Sequence, residues 1–321
     1  MAAKRIYWAI ESLAIQSEVR YAPKTGGDIT AADFVSGVQS VGITTTFNLE
    51  QVFQLGQLSL YQDIEEVPDV EVTVERVLDQ NDLMWSRCMG SGSITSGQNV
   101  ECNVYFSVYA DTVELVGKVL TPATTPDTSV WCSGMFLSSA SYTFPTDGNF
   151  TESVTLVGNH AEWGTGTLAT ALPNGAPTAD ASGEVKRRNT ITEAQMNTII
   201  SNLSGDIGAA AKVTNMSVSV DLGREAINIL GRKLPYHRYV TYPVEVSCEV
   251  ETVAIGGTNV DAYPEQSNVS ARTISIPAGP HTFNLGAKNK LQSVTWGGGT
   301  TGGENATITY SYRNFNELTI T

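Results

Sequence analysis

Carboxylate side chains recur at alternate positions in two stretches of this sequence, and paired carboxylates can do acid–base chemistry. The first stretch holds Glu71 and Glu75, and the second holds Glu245, Glu249 and Glu251. On a regular strand Glu71 and Glu75 would lie about 13 Å apart, because each two-residue step covers roughly 6.6–6.8 Å. The carboxylates of a glycosidase pair are about 5–9.5 Å apart, so this spacing favours a solvated acidic face over a catalytic pair.

The other residues that could do chemistry stand apart from one another. No two cysteines form a C-x-x-C pair, and the three histidines are isolated, so a zinc site is not predicted. The residues concerned are Cys88, Cys102, Cys132, Cys248, His160, His237 and His281. The sequence has no G-x-S-x-G motif and no phosphate-binding glycine loop, and the glycines at 297–299 fit a hairpin turn. It therefore predicts neither an enzyme nor a cofactor or metal site, and the cysteines are expected to be small buried hydrophobes.

The composition describes an acidic globular protein that is long enough for two domains. The chain has 321 residues, of which 33 are acidic and 19 basic, so the formal net charge is −14. A surface of this sign repels DNA phosphates and anionic membranes. No stretch approaches the roughly 20 apolar residues of a membrane-spanning helix, and residues 1–18 lack the cleavage site of a signal peptide. These observations predict a protein that is made in a cytoplasm and has no membrane partner.

A stretch at 41–77 recurs in altered form at 216–253. With an offset of 175 residues the matched positions are Glu50, Leu55, Gly56, Tyr61 and Pro68 with Glu225, Leu230, Gly231, Tyr236 and Pro243. After the proline, dropping one residue aligns Val70, Glu71, Val72 and Glu75 with Val244, Glu245, Val246 and Glu249. A second echo relates 137–142 to 291–296. We interpret the chain as two copies of one unit, with a first β domain at 1–162, a Gly/Ala/Pro-rich connector at 163–212 and a second β domain at 213–321.

In both copies the stretch after the proline alternates between apolar and polar residues. One face of the first strand holds Val70, Val72 and Val74, and the other holds Glu71, Thr73 and Glu75. The second copy repeats this with a second polar set of Glu245, Ser247, Glu249 and Glu251. A period of two with one apolar face predicts a strand that is buried on one side and wet on the other.

The rest of the chain predicts strands separated by turns, with few helices. A capping box of Thr192 and Gln195 begins a predicted helix near 192–203. A cap and a glycine stop predict a short helix at 48–56 and another near 222–230. Residues 79–98 are predicted to form a loop with an apolar plug at 83–85. Strands are predicted at about 5–19, 38–47, 70–77, 99–110, 113–120, 130–144, 150–158, 213–221, 242–253, 267–276, 290–296 and 305–320.

The second copy, SVSVDLGREAINILGRKLPYHRYVTYPVEVSCEVE, resembles a pattern that recurs in bacteriophage tail tube proteins. In that pattern a strand, a short helix from "DLGRE" to "LGR" and a "PVEVS" strand follow one another. The first copy resembles it more loosely, and together they cover about 75 residues. The resemblance implies a mainly β fold of two similar antiparallel β-sandwich or half-barrel domains, each with a short flanking helix. It also implies assembly into rings whose inner strands form one β-barrel.

The resemblance further implies a structural subunit of a tail tube, whose stacked rings form a channel for genome delivery. The chain's partners would be copies of itself: three chains with pseudo-six-fold symmetry are favoured, and six chains are the other arrangement. Tail sheath, tape measure, baseplate and terminator proteins would be further partners, and DNA would pass without specific binding. The location would be the virion tail, assembled in the host cytoplasm. The residues expected to face the channel are Glu71, Thr73, Glu75, Glu245, Ser247, Glu249 and Glu251.

Three alternatives remain open from the sequence. The acidic faces could lie on an outer solvated surface. The chain could be another ring-forming tail component or a tube protein similar to those of type VI secretion. It could also be a β-sandwich module that binds a carbohydrate or a receptor, which would need an exposed aromatic platform. The residues that could supply this platform are Trp131, Tyr142, Trp163 and Trp296.

Overall fold

The computed structural model describes residues 11–17, 33–95, 100–109, 126–164, 184–255, 260–262, 270–298 and 305–321. The fold is mainly β with antiparallel pairing throughout, as the sequence predicts. In chain order the first-half elements are β1 Glu11–Ser17, β2 Val38–Thr46, β3 Leu49–Phe53, β4 Leu60–Glu65, β5 Asp69–Val77, α1 Met84–Met89, β6 Cys102–Val108, β7 Thr128–Pro145, β8 Thr151–Gly158 and β9 His160–Gly164. The second-half elements are α2 Glu193–Ile207, β10 Lys212–Asp221, β11 Arg224–Ile227, β12 His237–Val240, β13 Glu245–Val253, β14 Ser275–Ala278, β15 His281–Asn284, β16 Lys290–Gly297, β17 Thr307–Phe315 and β18 Thr319–Ile320.

One long sheet runs through both halves of the chain in the order β16-β17-β13-β10-β7-β8-β5-β2. The four strands of the second half, β16-β17-β13-β10, have the same relative order as the four of the first half, β7-β8-β5-β2. The halves meet where β10 pairs with β7. Within the described residues the sheet is open, because β2 and β16 end this path and each pairs with one strand.

The register of the two half-sheets corresponds residue by residue, and two pairs of β-bulges fix it. The bulge between Val38 and Ser40 recurs between Val213 and Asn215, which is the predicted offset of 175. Their partners Arg76 and Glu75 correspond to Thr252 and Glu251, an offset of 176. The bulges after Leu137 and Leu291 correspond at an offset of 154, which is the offset of the second sequence echo.

This register corrects the alignment that the sequence favours after the prolines. Thr45 pairs with Val70, and Val220, which is 175 residues after Thr45, pairs with Val246. Val70 therefore corresponds to Val246 and not to Val244. A shift of two residues keeps every valine on the buried face, so alternation alone does not distinguish the two alignments.

The short helices expected at 48–56 and near 222–230 are wrong. The structure has two β-hairpins there, formed by β3 with β4 and by β11 with β12. We call residues 49–65 the first arm and residues 224–240 the second arm. Gly56 and Gly231 have φ values of 88° and 86°, but they serve hairpin turns and do not end helices. Because isolated helices this short are marginal and no described residue covers the two tips, hairpin pairing satisfies the backbone better.

Two α-helices are found in the described residues. Helix α2 confirms the prediction near 192–203, since Thr192 Oγ1 accepts a hydrogen bond from Gln195 N at 3.3 Å. Helix α1 replaces the loop expected within 79–98, and the apolar plug forms its start, with Met84 and Trp85 fully buried. Most of the predicted strands agree with the structure to within a few residues where they are described. The strand expected at 113–120 lies outside the described residues. The strand expected at 267–276 is mostly wrong: residues 267–269 lie outside the described residues, and of residues 270–276 only 275–276 are in a strand, at the start of β14. The division into two domains and a connector stays a prediction.

The apolar face of the long sheet is covered and its polar face is exposed. Helix α1 contacts β1, β7 and β8, and α2 contacts β14. Phe283 of β15 packs against Tyr142 and Phe144, with ring centroids 4.6 and 5.2 Å apart. The fold therefore places its buried layer on one side of the sheet and leaves the other side open to solvent.

Two buried acids attach this cover to the sheet. Glu152 accepts hydrogen bonds from Arg76 Nε at 2.7 Å and Tyr142 Oη at 3.0 Å, and from the backbone N–H groups of Met84 and Trp85 at the start of α1. In the second half, Asp206 of α2 accepts from Arg272 Nε at 2.8 Å and from Tyr312 Oη at 3.2 Å. Burial and the adjacent carboxylate raise the pKa of each tyrosine, so both stay donors near neutral pH.

We expect the four cysteine thiols to stay unreactive at pH 8 until the protein unfolds, because all four are buried. Burial raises the pKa of Cys132 and of Cys248 to about 12. Three units above the ordinary value leave about a thousandfold less of the reactive thiolate. A colorimetric thiol reagent added along a urea titration should report the unfolding transition, and a prompt reaction of the folded protein would contradict this. Since the unfolded chain loses these protons first, stability should fall as the pH rises from about 9 to about 12.

Candidate assembly surfaces

The seven residues expected to face a channel all lie on the exposed face of the long sheet. Glu71, Thr73 and Glu75 alternate with fully buried valines on β5. On β13, Glu245 and Glu249 are exposed, and Ser247 and Glu251 are half-buried. The structure thus brings both predicted sets onto one surface, which we call the polar face.

The polar face is a continuous band of small hydroxyl and carboxylate side chains. One row of register partners crosses five strands, from Ser247 through Ser219, Ser141 and Ser153 to Glu75. Ser219 Oγ and Ser247 Oγ are 2.6 Å apart, and Ser311 Oγ donates to Glu249 Oε1 at 3.3 Å. Among the described residues no group of three His, Cys, Asp or Glu side chains could hold a metal ion. Beyond Ser247 the same row continues to Arg313 and Lys290, which are exposed. What this face offers chemically is a hydrated surface that is mostly negative, with two cations at its β16–β17 end.

The junction between the half-sheets shows how one half joins the other. Val218 pairs with Tyr142, and Val220 pairs with Ala140, and all four side chains are buried. On the polar face the adjacent pair is Ser219 with Ser141. The junction is therefore a full antiparallel ladder that is apolar on the covered side and hydroxylic on the polar side.

The second arm crosses this junction and packs on the first half. Arg224 Nε donates to the carbonyl oxygen of Leu137 at 2.7 Å, and burial lowers the pKa of Arg224 to about 10. Arg238 Nη2 donates to Asn159 Oδ1 at 3.0 Å and to Asp69 Oδ1 at 3.3 Å. His237 Nδ1 lies 3.3 Å from Glu101 Oε1.

The two ends of the long sheet carry apolar side chains that the junction would bury. Trp296 of β16 corresponds to buried Tyr142 and is 56% exposed. Ile43 of β2 corresponds to Val218 and is half-buried. Sequence reasoning missed these edges, because alternation identifies a strand but not its neighbour.

The first arm is the most exposed apolar segment that the structure describes. Its tip residues Leu55 and Leu58 are fully exposed, and Leu49, Phe53 and Tyr61 are each more than half exposed. The sequence signal for this surface is the apolar spacing of Leu49, Val52 and Phe53, which lie within the short helix predicted at 48–56.

The aromatic platform required by the binding-module alternative is not formed. Trp131 and Tyr142 are buried, and only Trp163 and Trp296 of the four candidates are exposed. Neither helix that the structure describes is long and apolar enough to cross a bilayer.

Comparisons with solved structures return 21 matching chains, two of which are given below. No protein-family model and no curated protein matches this chain. One match is described as the cryo-EM structure of the anti-feeding prophage baseplate, 6-fold symmetrised; it is 10% identical, covers 51% of this chain and 98% of that chain, and has a TM-score of 0.36. Another is described as the anti-feeding prophage tube terminating cap; it is 9% identical, covers 52% of this chain and 95% of that chain, and also has a TM-score of 0.36. Likeness at this level does not identify a function.

Proposed function

We propose that this protein is a structural subunit of a phage tail tube, that its halves arose by duplication, and that three copies close a ring. The observation that carries the proposal is that, among the described residues, the edge strands β2 and β16 each pair on one side only. Strand β2 corresponds to β10 and strand β16 corresponds to β7, and β10 with β7 is the junction already made inside the chain. Pairing of β2 in one copy with β16 in the next would repeat that junction.

The residues at the two edges support this pairing. Transferring the junction register gives Ile43 opposite Trp296, Thr44 opposite Thr295, and Thr45 opposite Val294 in the neighbour. The covered side would hold Ile43, Trp296 and Val294 with the β-branched Thr45, and the polar side would hold the hydroxyls of Thr44 and Thr295. Long unprotected sheet edges otherwise invite aggregation, and closure into a ring removes them.

The polar face would line the channel. Three copies would bring roughly 24 strands into the wall, more than the 16–18 strands that already leave an aqueous channel in porins. The acidic side chains would repel the DNA backbone, because affinity for DNA comes largely from basic side chains that neutralise its phosphates. A passing genome would then meet mostly repulsive side chains, with Lys290 and Arg313 at the β16–β17 end as exceptions.

Electron microscopy of the purified protein tests the function directly. Negatively stained rings or stacked tubes with a central pore are expected, and native mass spectrometry of single rings should give three chains. The length of the stacks distinguishes a tube from another ring-forming tail part, because both would use the same edge contact. Monodisperse single chains at all concentrations, or particles that bind glycans, would contradict the proposal.

Reversing the charge of Glu71 and Glu245 should make the channel retain DNA. Both side chains are exposed on the polar face and lie outside the β2 and β16 edge strands, so Glu71→Lys with Glu245→Lys should leave the pairing of those edges intact. Added lysines would neutralise phosphates, so tubes should hold short DNA duplexes at low salt and release them as salt rises. Retention is measured by pelleting tubes with labelled duplex.

Glu184→Lys, an exposed position outside the sheet, is the control. Double-variant tubes that retain no more DNA than this control would contradict the assignment of the polar face to the channel.

A further inference from the structure

The two arms correspond residue for residue but carry opposite charges. Leu49 pairs with Glu65, and 175 residues later Arg224 pairs with Val240. The first arm has three acids, Glu50, Asp63 and Glu65, and no lysine or arginine. The second arm has one acid, Glu225, and four basic residues, Arg224, Arg232, Lys233 and Arg238. Two hairpins of one shape therefore differ in the surface that each can bind.

The surface that receives the second arm is acidic or neutral. Arg238 reaches Asp69 and Asn159 at the start of β5 and the end of β8. The ring of Phe136 lies 5.4 Å from the guanidinium carbon of Arg224. Val157 lies beside Arg238 in a shallow depression. Within one chain, the basic second arm thus contacts strand ends that carry the carboxylate of Asp69 and no positive charge at Phe136, Val157 or Asn159.

The corresponding surface of the second half is basic. Phe136 corresponds to Lys290, and Val157 corresponds to Arg313. Lys290 and Arg313 are register partners and both are exposed. Asp69 corresponds to Glu245, so one acid remains at this strand end and two cations are added. The second arm is basic and its receiving surface is acidic or neutral, whereas the first arm is acidic and its corresponding surface is basic. Each arm is therefore complementary in charge to the surface that would receive it.

We propose that the first arm of one copy docks on the β16–β17 end of the next copy, with Asp63 opposite Lys290 and Arg313. The proposal rests on the ring proposed above and names a second contact within it. Asp63 takes the place of Arg238, and Leu49 takes the place of Arg224 and packs against Leu291, the counterpart of Leu137. Docking would cover apolar side chains that a single chain leaves in water, notably Leu49, which is 58% exposed.

The charge difference also gives this contact its specificity. An acidic arm placed on the first-half strand end would face Asp69, and like charges there would oppose docking. The first arm is therefore directed to a second half, which only the next copy presents at the open edge of β2. This difference in charge would keep first and second halves of the chain alternating around the ring.

A charge-reversal experiment on the full chain tests the docking. Asp63→Arg should raise the concentration needed for half-maximal ring assembly about tenfold or more, because it places three cations together. Combining it with Lys290→Glu and Arg313→Glu should recover most of that loss. Glu50→Arg makes the same charge change on the opposite face of the arm, since Glu50 pairs with Ile64, and should have a much smaller effect.

The outcomes distinguish a failure of the docking proposal from a failure of the proposed ring. If the unaltered protein forms no rings, both proposals fail. If rings form and Asp63→Arg assembles like the unaltered protein, or if the combined variant is no better than Asp63→Arg, the docking is wrong and the ring stands. Circular dichroism of each variant, at a concentration below that of assembly, checks that the single chain is folded. The variants are expected to fold, because the arm lies outside the buried core.

Discussion

Oxidation of an assembled Thr44→Cys, Thr295→Cys variant is expected to link neighbouring copies into covalent multimers. The two positions correspond to Ser219 and Ser141, which are register partners at the internal junction. Directly opposite residues of an antiparallel pair have Cβ atoms about 4.5–5.5 Å apart, which small adjustments bring within disulfide range. Non-reducing gel electrophoresis should show a ladder that ends at three chains if three copies close the ring, and at six if six do.

Matched variants make this result specific to the register. Ser219→Cys with Ser141→Cys should form a bond within one chain and give no ladder. Thr44→Cys with Ser293→Cys displaces the pair by two residues, or roughly 7 Å, and should cross-link poorly. The native thiols are buried and should not contribute. A ladder from the displaced pair alone, or no ladder from rings visible by microscopy, would contradict the proposed pairing of β2 with β16.

The sequence predicts secondary structure and burial well where a local pattern fits only one kind of structure. The valines at 70, 72 and 74 fit only a strand with one buried face, and the structure gives them that place. The capping box at Thr192 and Gln195 fits only a helix start. The polar face followed from the same alternation, so all seven candidate residues were found on one surface.

The edges and the arms could not be predicted, because their conformation depends on pairing between distant segments. Val52, Phe53 and Ile227 suit a short helix by spacing and a hairpin by composition, and cross-strand pairing decides between them. The two-residue error after the prolines has a similar cause, since any even shift keeps the same face buried. The sequence also gave no sign that Trp296, unlike its counterpart Tyr142, would lie at an open edge.

Removing the carboxylate of Glu152 is expected to be the most destabilising single change outside the apolar core. Arg76 and Glu152 are both fully buried, with Nε and Oε2 2.7 Å apart. Glu152→Ala leaves the Arg76 guanidinium without its buried counter-charge and leaves Tyr142 Oη and two N–H groups of α1 without their acceptor. Breaking a buried ion pair in this way costs about 3–5 kcal/mol. Urea unfolding, followed by fluorescence, should show this as a lower midpoint with an unchanged slope.

A second variant separates the cost of an unpaired charge from the value of the pair. Arg76→Met with Glu152→Leu removes both charges and keeps apolar volume, so it should be much closer to the unaltered protein than Glu152→Ala. Lys288→Met breaks an exposed pair with Glu317 and should change the free energy of unfolding by less than about 1 kcal/mol. If Glu152→Ala were as mild as Lys288→Met, Glu152 would not be what holds α1 against the sheet. Because this cluster lies on the covered side, its loss should lower the stability of the single chain without altering the edge residues that the ring requires.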